Sequence, residues 1–501
     1  MKRRNFIRSA AAAAAAASIP REPAWAAVFQ PVTRVTQDVV AVTGDGQQVT
    51  LSASALADLK GKLRGTLLLR GNGGYDQARR VLNPMFDKFP ALVVQPTGVA
   101  DLRTAVDFAR ENRGLLLAVK CGGHSTSGQS TCDRGMQIDL SLFRDVRVDP
   151  VAKRAWVTGG SLLGQVDHEA MAYGLVTPLG TVSHTGVGGL VTGGGFGRTA
   201  RRFGLSVDNL LGVDVVTADG QLRRANKDEN ADLFWGVRGG GGNFGIVTSF
   251  QFQLHPMQRQ VLAGHIMFPL TRAREVLSLY ADYVPKMPNE LYLGWAMRKP
   301  PGAAPGMTGF EICYSGPASE AERALAPIRK LGAPLSDDVK AFDYVAYQRS
   351  GDVTDPRAMG VYLKSGFVQN FGADLISAIL DGFAADPRRA TAIFSQPSGG
   401  LIAQVPSEAT AFAQRDVHSN LLCNVAWRMG DDGTEHTNWI KKYWSGIEKY
   451  TYGFYVNDAG DASATAVKAN YRSNHDRLVA VKNKYDPKNL FRLNANVKPS
   501  V

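Results

Sequence analysis

Apolar and polar positions along the N-terminal half alternate between two periods. Residues 91–95 form a short apolar run closed by Pro96. Over 99–110, Val99, Leu102, Val106, Phe108 and Ala109 recur at helical spacing, with Asp101, Arg103 and Asp107 between them. Residues 115–119 are a second apolar run. The order reads strand, helix, strand, and the second strand empties into Gly122-Gly123-His124. Residues 27–85 hold short strand candidates and a turn at Gly71-Asn72-Gly73-Gly74. Further on, 213–217 and 222–225 flank Asp219-Gly220, a pair suited to a primed two-residue hairpin turn. Residues 232–237 predict a short helix before a glycine turn. Over 244–254, Phe250, Phe252 and Leu254 alternate with Gln251 and Gln253, which predicts a half-buried strand. Beyond Pro256 the glycine motifs stop. Strand-like runs at 290–297, 309–314 and 421–427 alternate with helical ones at 272–284 and 320–331, the pattern of a second, mixed α+β domain. Residues 474–484 predict a last helix, closed by Tyr485-Asp486-Pro487.

Composition adds an address and removes several classes of function. Lys2-Arg3-Arg4-Asn5-Phe6-Ile7-Arg8 resembles a twin-arginine export signal. A weakly apolar alanine run and Ala24-Trp25-Ala26, a small-x-small cleavage site, follow it. The expectation is a signal over 1–26, engagement by the twin-arginine export machinery, and a periplasmic or secreted mature chain. That route carries folded proteins, which suits a chain that loads a cofactor before export. The 501 residues carry a net charge of +12, which falls to +8 once 1–26 are removed. The remaining basic residues are scattered and no nucleic-acid motif is present, so nucleic acid is not an expected partner. No later apolar run reaches the roughly 18 residues of a membrane span, so no integral membrane segment is expected in the mature chain. Eight histidines are dispersed without a His-x-x-x-His pair, and Cys121, Cys132, Cys313 and Cys423 lack zinc spacing, so no metal site is expected. Cys121 and Cys132 could pair in an oxidising compartment or stay as free thiols.

Glycine supplies the chemistry. The chain has 53, clustered in 186–197 and 239–245. Such turns permit positive φ and close approach of a ligand to the main chain, and successive N–H groups in them make concave anion sites. Two glycine turns in one chain point to a ligand with two phosphates. A Rossmann fingerprint does not fit, because the 186–197 run follows no clear strand and no ribose-binding acid sits about 20 residues on.

Four motifs in order carry a resemblance. They are Gly122-Gly123-His124, the 186–197 run, the stretch from Asp232 through Arg238-Gly239-Gly240-Gly241-Gly242-Asn243-Phe244-Gly245, and a C-terminal signature running from Asn474 through Tyr485-Asp486-Pro487 to Asn494-Ala495-Asn496-Val497. Together they resemble the berberine-bridge-enzyme-like FAD-linked oxidases of the vanillyl-alcohol-oxidase and p-cresol-methylhydroxylase superfamily. The resemblance implies an α+β fold. A two-subdomain FAD-binding domain of the p-cresol-methylhydroxylase type would come from 27–256 and 464–501. A substrate domain, an antiparallel sheet backed by helices, would be inserted at 257–463.

The same resemblance assigns residues. It implies FAD bonded covalently to His124, whose imidazole nitrogen is a nucleophile toward the flavin 8-methyl carbon. Val182 stands where many relatives place a second linking cysteine, so one bond is expected, not two. Gly122, Gly123 and Ser125, with Gly188, Gly189, Gly193 and Gly194 opposite, would hold the diphosphate on main-chain N–H groups. Asp208, Asn209, Ile246 and Val247 match positions around the adenosine and ribityl parts, Asn494 and Asn496 those that close over the flavin. Thr181 and Thr185 border the ring, and the small Thr185 favours reaction with O2. Tyr455 and Tyr471 are the candidate catalytic bases. No acid lies on 421–427, where some relatives carry one. Gln348, Lys364 and Arg415 are expected to be structural or substrate-lining. The expected reaction takes hydride from a C–OH or C–N carbon of a small organic substrate and passes electrons to O2. The alternatives are a dehydrogenase using a quinone or protein acceptor, and a flavin-retaining binding protein without turnover.

Overall fold

The computed structural model describes residues 35–302, 304–352, 359–383, 388–458 and 462–500. The export signal expected at 1–26 lies outside them. Among the described residues three larger sheets carry the architecture. In the first, Leu92–Gln95, Met136–Asp139 and Leu117–Lys120 run parallel in that order, with Thr66–Leu69 antiparallel at the edge. The two apolar runs read from sequence are therefore not neighbours, since Met136–Asp139 lies between them. The helix Val99–Glu111 buries Leu102, Ala105, Val106 and Ala109, the stripe its spacing dictates. Its Asp101 accepts from the N–H groups of Arg64, Gly65 and Thr97, which fixes where the helix starts.

The second sheet is antiparallel, in the order Leu222–Asn226, Leu210–Thr217, Gly245–Gln253, Arg154–Thr158, Val146–Asp149. The hairpin at Asp219-Gly220 is present, but its loop is one residue longer than expected. The N–H of Thr217 bonds Gln221 O, the Asp219 carboxylate accepts from the Thr217 hydroxyl and the Gln221 N–H, and Gly220 has φ +76°. The glycine run is also not all loop, because Val187–Thr192 is a short helix with Gly186 as its cap.

The third sheet is larger and antiparallel throughout, in the order Ser336–Asp337, Gln260–Pro269, Met307–Tyr314, Leu291–Lys299, Arg389–Pro397, Ser419–Arg428, Met359–Val368, with Lys340–Asp343 also on Gln260–Pro269. Ala273–Tyr283, Ala373–Leu380 and Gly433–Glu448 back one face. There Ile393, Leu421, Cys423, Val425 and Trp427 join the helices in a common core. Strand alternation turns Phe394, Gln396, Asn420 and Leu422 to the opposite face. All four cysteines are free thiols, so Cys121 and Cys132 do not pair. The final helix, His475–Tyr485, packs on Ala231–Val237, and buried Lys482 ties the chain end to the 243 loop.

Candidate functional site

The strand Leu117–Lys120 delivers Gly122-Gly123-His124 to the edge of a cavity of about 460 Å³. Lys120 holds the strand end. Its ammonium donates to the carbonyl of Ala78 and lies 3.5 Å from the Asp139 carboxylate. Gly123 turns the chain at φ +66°. A Cβ on Gly122 would sit 2.5 Å from the N of Gly186, and one on Gly186 would sit 2.4 Å from the N of Gly122. The two glycine motifs therefore meet backbone on backbone. Gly189, Gly241 and Gly242 differ: they line the cavity and have nothing within 4 Å of where a Cβ would be. Here the missing side chain leaves room for a ligand against bare main chain.

Several sequence-predicted residues come together in this wall: Gly122, Gly123, His124, Ser125, Thr181, Thr185, Gly188, Gly189, Ile246, Val247, Tyr455 and Asn494. Val182, at the position of the absent second cysteine, lines it too. His124 Nε2 is buried with no hydrogen-bond partner, as are Thr126 Oγ1, Ser130 Oγ and Asn494 Oδ1 in the same wall. Burial, with the neighbouring His184 ring at 5.0 Å, pulls the His124 pKa down to about 4, so the imidazole is neutral at physiological pH. Cys121 lines the cavity as a thiol, pushed up to about 11 by burial, and donates to Ser161 O.

Other predicted residues lie elsewhere. A Cβ on Gly193 would meet the Asn457 side chain, and Gly194 packs against Phe412 and Tyr455. Asp208 is in a buried, two-pronged ion pair with Arg415 at 2.7 and 2.8 Å. Asn209 donates to the carbonyls of Phe203 and Leu205 and meets His255 Nε2. Tyr471 is buried among Val467, Leu478 and their neighbours, a core cluster behind the cavity wall. None of these, nor Asn496, lines the cavity. Gln348 and Arg415 are structural clamps: Gln348 donates to Gly180 O and Asp167 and accepts from Arg198.

Tyr455 is placed at the cavity, but its hydroxyl is engaged. It accepts from the N–H of Gly195 at 2.9 Å and from Asn457 Nδ2 at 2.8 Å, and burial pushes the phenol well above its ordinary range. The residue that sequence reasoning missed is Asp458. It lines the cavity with Oδ2 buried and unpartnered. The available signal was its adjacency to Tyr455-Val456-Asn457, but its burial comes from strands far away in sequence.

Comparison with known proteins converges on the same chemistry. Residues 90–226 match the family model of an FAD binding domain, and residues 454–498 that of berberine and berberine-like proteins. An FAD-linked oxidoreductase of Dictyostelium discoideum is 31% identical over 82% of this chain and 89% of its own. Xylooligosaccharide oxidase of Thermothelomyces thermophilus is 31% identical over 82% of this chain and 88% of its own. The crystal structure of 6-hydroxy-D-nicotine oxidase from Arthrobacter nicotinovorans superposes with a TM-score of 0.80 at 27% identity, covering 87% of this chain and 98% of that one. The class is thereby set: an FAD-linked oxidoreductase of α+β fold with a p-cresol-methylhydroxylase-type FAD-binding part. Within it, the chain belongs with the FAD-linked oxidoreductases that include the Dictyostelium relative, and its residues 454–498 are berberine-like.

The residues present fit FAD. Buried polar atoms in folded proteins are almost always satisfied, and here a cluster of unsatisfied ones faces a single cavity beside three glycines whose Cβ positions are open. Apolar Leu117, Val119, Leu140 and Val247 complete the wall. A large, partly aromatic, partly anionic ligand is what such a lining accepts.

Proposed function

We propose that this protein is an exported oxidase that holds FAD through one covalent bond, from His124 to the flavin 8α carbon, and oxidises a C–OH or C–N carbon of a small organic substrate with O2 as electron acceptor. The observation that carries the reading is His124 itself. Its imidazole is buried and neutral, with Nε2 lacking a hydrogen-bond partner, at the mouth of a glycine turn. A neutral imidazole with a free lone pair is the form that can act as nucleophile. Val182 has no thiol, so the tether is single.

When bound, the flavin supplies a two-electron acceptor for hydride. The chain's residues do the rest. Gly122, Gly123, Ser125, Gly188 and Gly189 offer main-chain N–H groups and close approach to the diphosphate. Ile246 and Val247 give an apolar wall, and Asn494 reaches the cavity from the C-terminal segment. Thr181 and Thr185 border it, and Thr185 is small enough to leave a path for O2. Tyr455 closes one side as an aromatic wall and pins the turn that follows it. In this reading 27–256 and 464–501 form the cofactor domain and 257–463 the substrate domain, whose bare sheet face looks onto the cavity through Leu363, Phe394 and Gln396. Relatives named for oxidising a hydroxynicotine and xylooligosaccharides support both the substrate class and the acceptor. The twin-arginine pattern at residues 2–8 supports export to the periplasm.

The test is anaerobic mixing of the purified full chain with sugars, alcohols and amines, followed by admission of air. Bleaching of the flavin by one of them and its return within seconds supports the oxidase. Return over minutes would assign a dehydrogenase instead, and absence of bleaching by any of them a binding protein.

A further inference from the structure

We infer that Asp458 is the proton acceptor of the reaction: a carboxylate on the cavity wall that takes the O–H or N–H proton from the substrate carbon that gives up hydride. The inference rests on the oxidation proposed above and deepens it.

Among the described residues that line the cavity, Asp458 carries the only carboxyl group. The other lining groups able to take a proton are already committed. His124 is the proposed tether. The Tyr455 hydroxyl accepts two hydrogen bonds, and the Cys121 thiol is turned to Ser161 O. Tyr471 is behind the wall. The strand Ser419–Arg428 offers no acid, and its Cys423 points into the helical core.

The position of Asp458 is built. Its N–H donates to Tyr455 O at 2.8 Å, closing a turn. Asn457 Nδ2 ties that turn to Leu190 O at 3.0 Å and to the Tyr455 hydroxyl, which fixes it against the glycine helix Val187–Thr192. Asn420 and Ser365, on two adjacent strands of the antiparallel sheet, face the carboxyl, and Gln396 stands beside Asn420 at 3.1 Å. Asp458 thus sits where the glycine-rich wall meets the bare sheet face, with Oδ2 left unpartnered.

The step balances. The substrate H–C–O–H or H–C–N–H loses hydride to the flavin, which is reduced by two electrons. The remaining O–H or N–H bond breaks, its electron pair forms the C=O or C=N bond, and the proton goes to Oδ2 of Asp458. Asp458 then releases that proton to solvent; with FAD bound, the hydride equivalent and one solvent proton would leave on dioxygen as hydrogen peroxide. Burial pushes the Asp458 carboxyl up to about 7 while Asn420 and Ser365 pull the other way, which suits an acceptor working near neutrality. The groups facing it from the sheet (Ser365, Gln396, Asn420) are neutral, and the neighbouring titratable group on its own segment is Tyr455.

Two readouts on the oxidised holoenzyme test this. The first is anaerobic stopped-flow reduction of wild type, Asp458→Asn and Asp458→Glu by the fastest of D-glucose, cellobiose, benzyl alcohol and benzylamine. The expected result is a fall of roughly 10²- to 10⁴-fold in Asp458→Asn with loss of the acidic limb near neutrality, and partial recovery with that limb retained in Asp458→Glu. The second needs no substrate. The infrared difference between about pH 5 and about pH 9 should show, beside the contribution of Asp167, a protonated-carboxyl contribution in wild type that is missing from Asp458→Asn and kept in Asp167→Asn. An Asn variant with wild-type flavin absorbance, an unchanged rate and an unchanged pH profile would overturn the inference. Should that variant lose its flavin, a Glu variant lacking the acidic limb would overturn it equally. Failure of the parent reading looks different: no member of the panel bleaches the wild-type flavin, while the infrared band still reports the carboxyl.

Discussion

Lys482 shows how a single side chain positions the site from outside it. It is fully buried, 2.7 Å from the Asp486 carboxylate, and donates to the carbonyls of Asn243 and Phe491. Asp486 in turn accepts from the N–H groups of Leu490 and Phe491. Removing one member strands a buried charge, so Lys482→Met should destabilise the protein by about 3–5 kcal/mol in denaturant melts. It should also free Phe491–Asn494 from the cavity. Two other buried groups make stability depend on pH in opposite directions. Burial raises the Asp167 carboxyl to about 7, so its contribution is present below its unfolded pKa and is lost as pH rises through 7. Burial lowers His418, packed against Tyr280 and Phe371, to about 4, so its contribution is present above 6.5 and is lost as pH falls through 4. Relative to wild type, His418→Gln should therefore gain stability as pH falls from about 6.5 to about 4, and Asp167→Asn should lose it, by up to about 1.4 kcal/mol per pH unit in urea midpoints.

The glycine turns make two kinds of demand on their residues, and substitution can tell them apart. Gly186→Ala places a Cβ 2.4 Å from the N of Gly122 and 2.5 Å from the sulfur of Cys121. Overpacking of this sort costs about 1–3 kcal/mol or more, so the folded yield should drop. Gly189→Ala has open space and a helical position where alanine is favoured. It should fold as well as wild type by far-UV circular dichroism, yet carry a lower ratio of flavin to protein absorbance. A flavin content equal to that of wild type would mean that Gly189 does not face the cofactor. The amphipathic spacing of Val99–Glu111 and the alternation of Gly245–Gln253 were legible in the sequence because a local period records which face is buried. The helix Ala53–Lys62 was not read, since Ala53, Ala55 and Ala57 blur its stripe and only Leu56 and Leu59 are buried. Asp458 was hidden for another reason. Its neighbours come from strands at 359–368 and 419–428, and pairing between distant strands leaves no periodic trace. For Asp208 the resemblance implies a place near the adenosine and ribityl parts; its ion pair with Arg415, more than 200 residues on, leaves no local trace in the sequence.

At the scale of the whole molecule, the cofactor wall and the sheet are locked by Arg198. Its guanidinium donates to Thr181 O at 3.0 Å, to Gln348 and to Glu311, and lies over the Tyr347 ring. Gln348 donates onward to Gly180 O at 2.8 Å. The wall segment 180–182 is thus held to the strand Met307–Tyr314. Arg198→Met leaves Glu311 without its partner and should lower stability by about 3–5 kcal/mol while shedding FAD. A melt that moves without loss of flavin would show that the clamp serves folding alone.

If His124 is the tether, its neutral imidazole is bonded to FAD and no second bond exists. The mass of the tryptic peptide containing His124, taken from the full chain precipitated in acid, tests it most directly. That peptide should carry one FAD, no cysteine peptide should carry any, and His124→Ala should release its flavin into the supernatant. A bare His124 peptide, with all the flavin of the wild-type protein free in the acid supernatant, would contradict it.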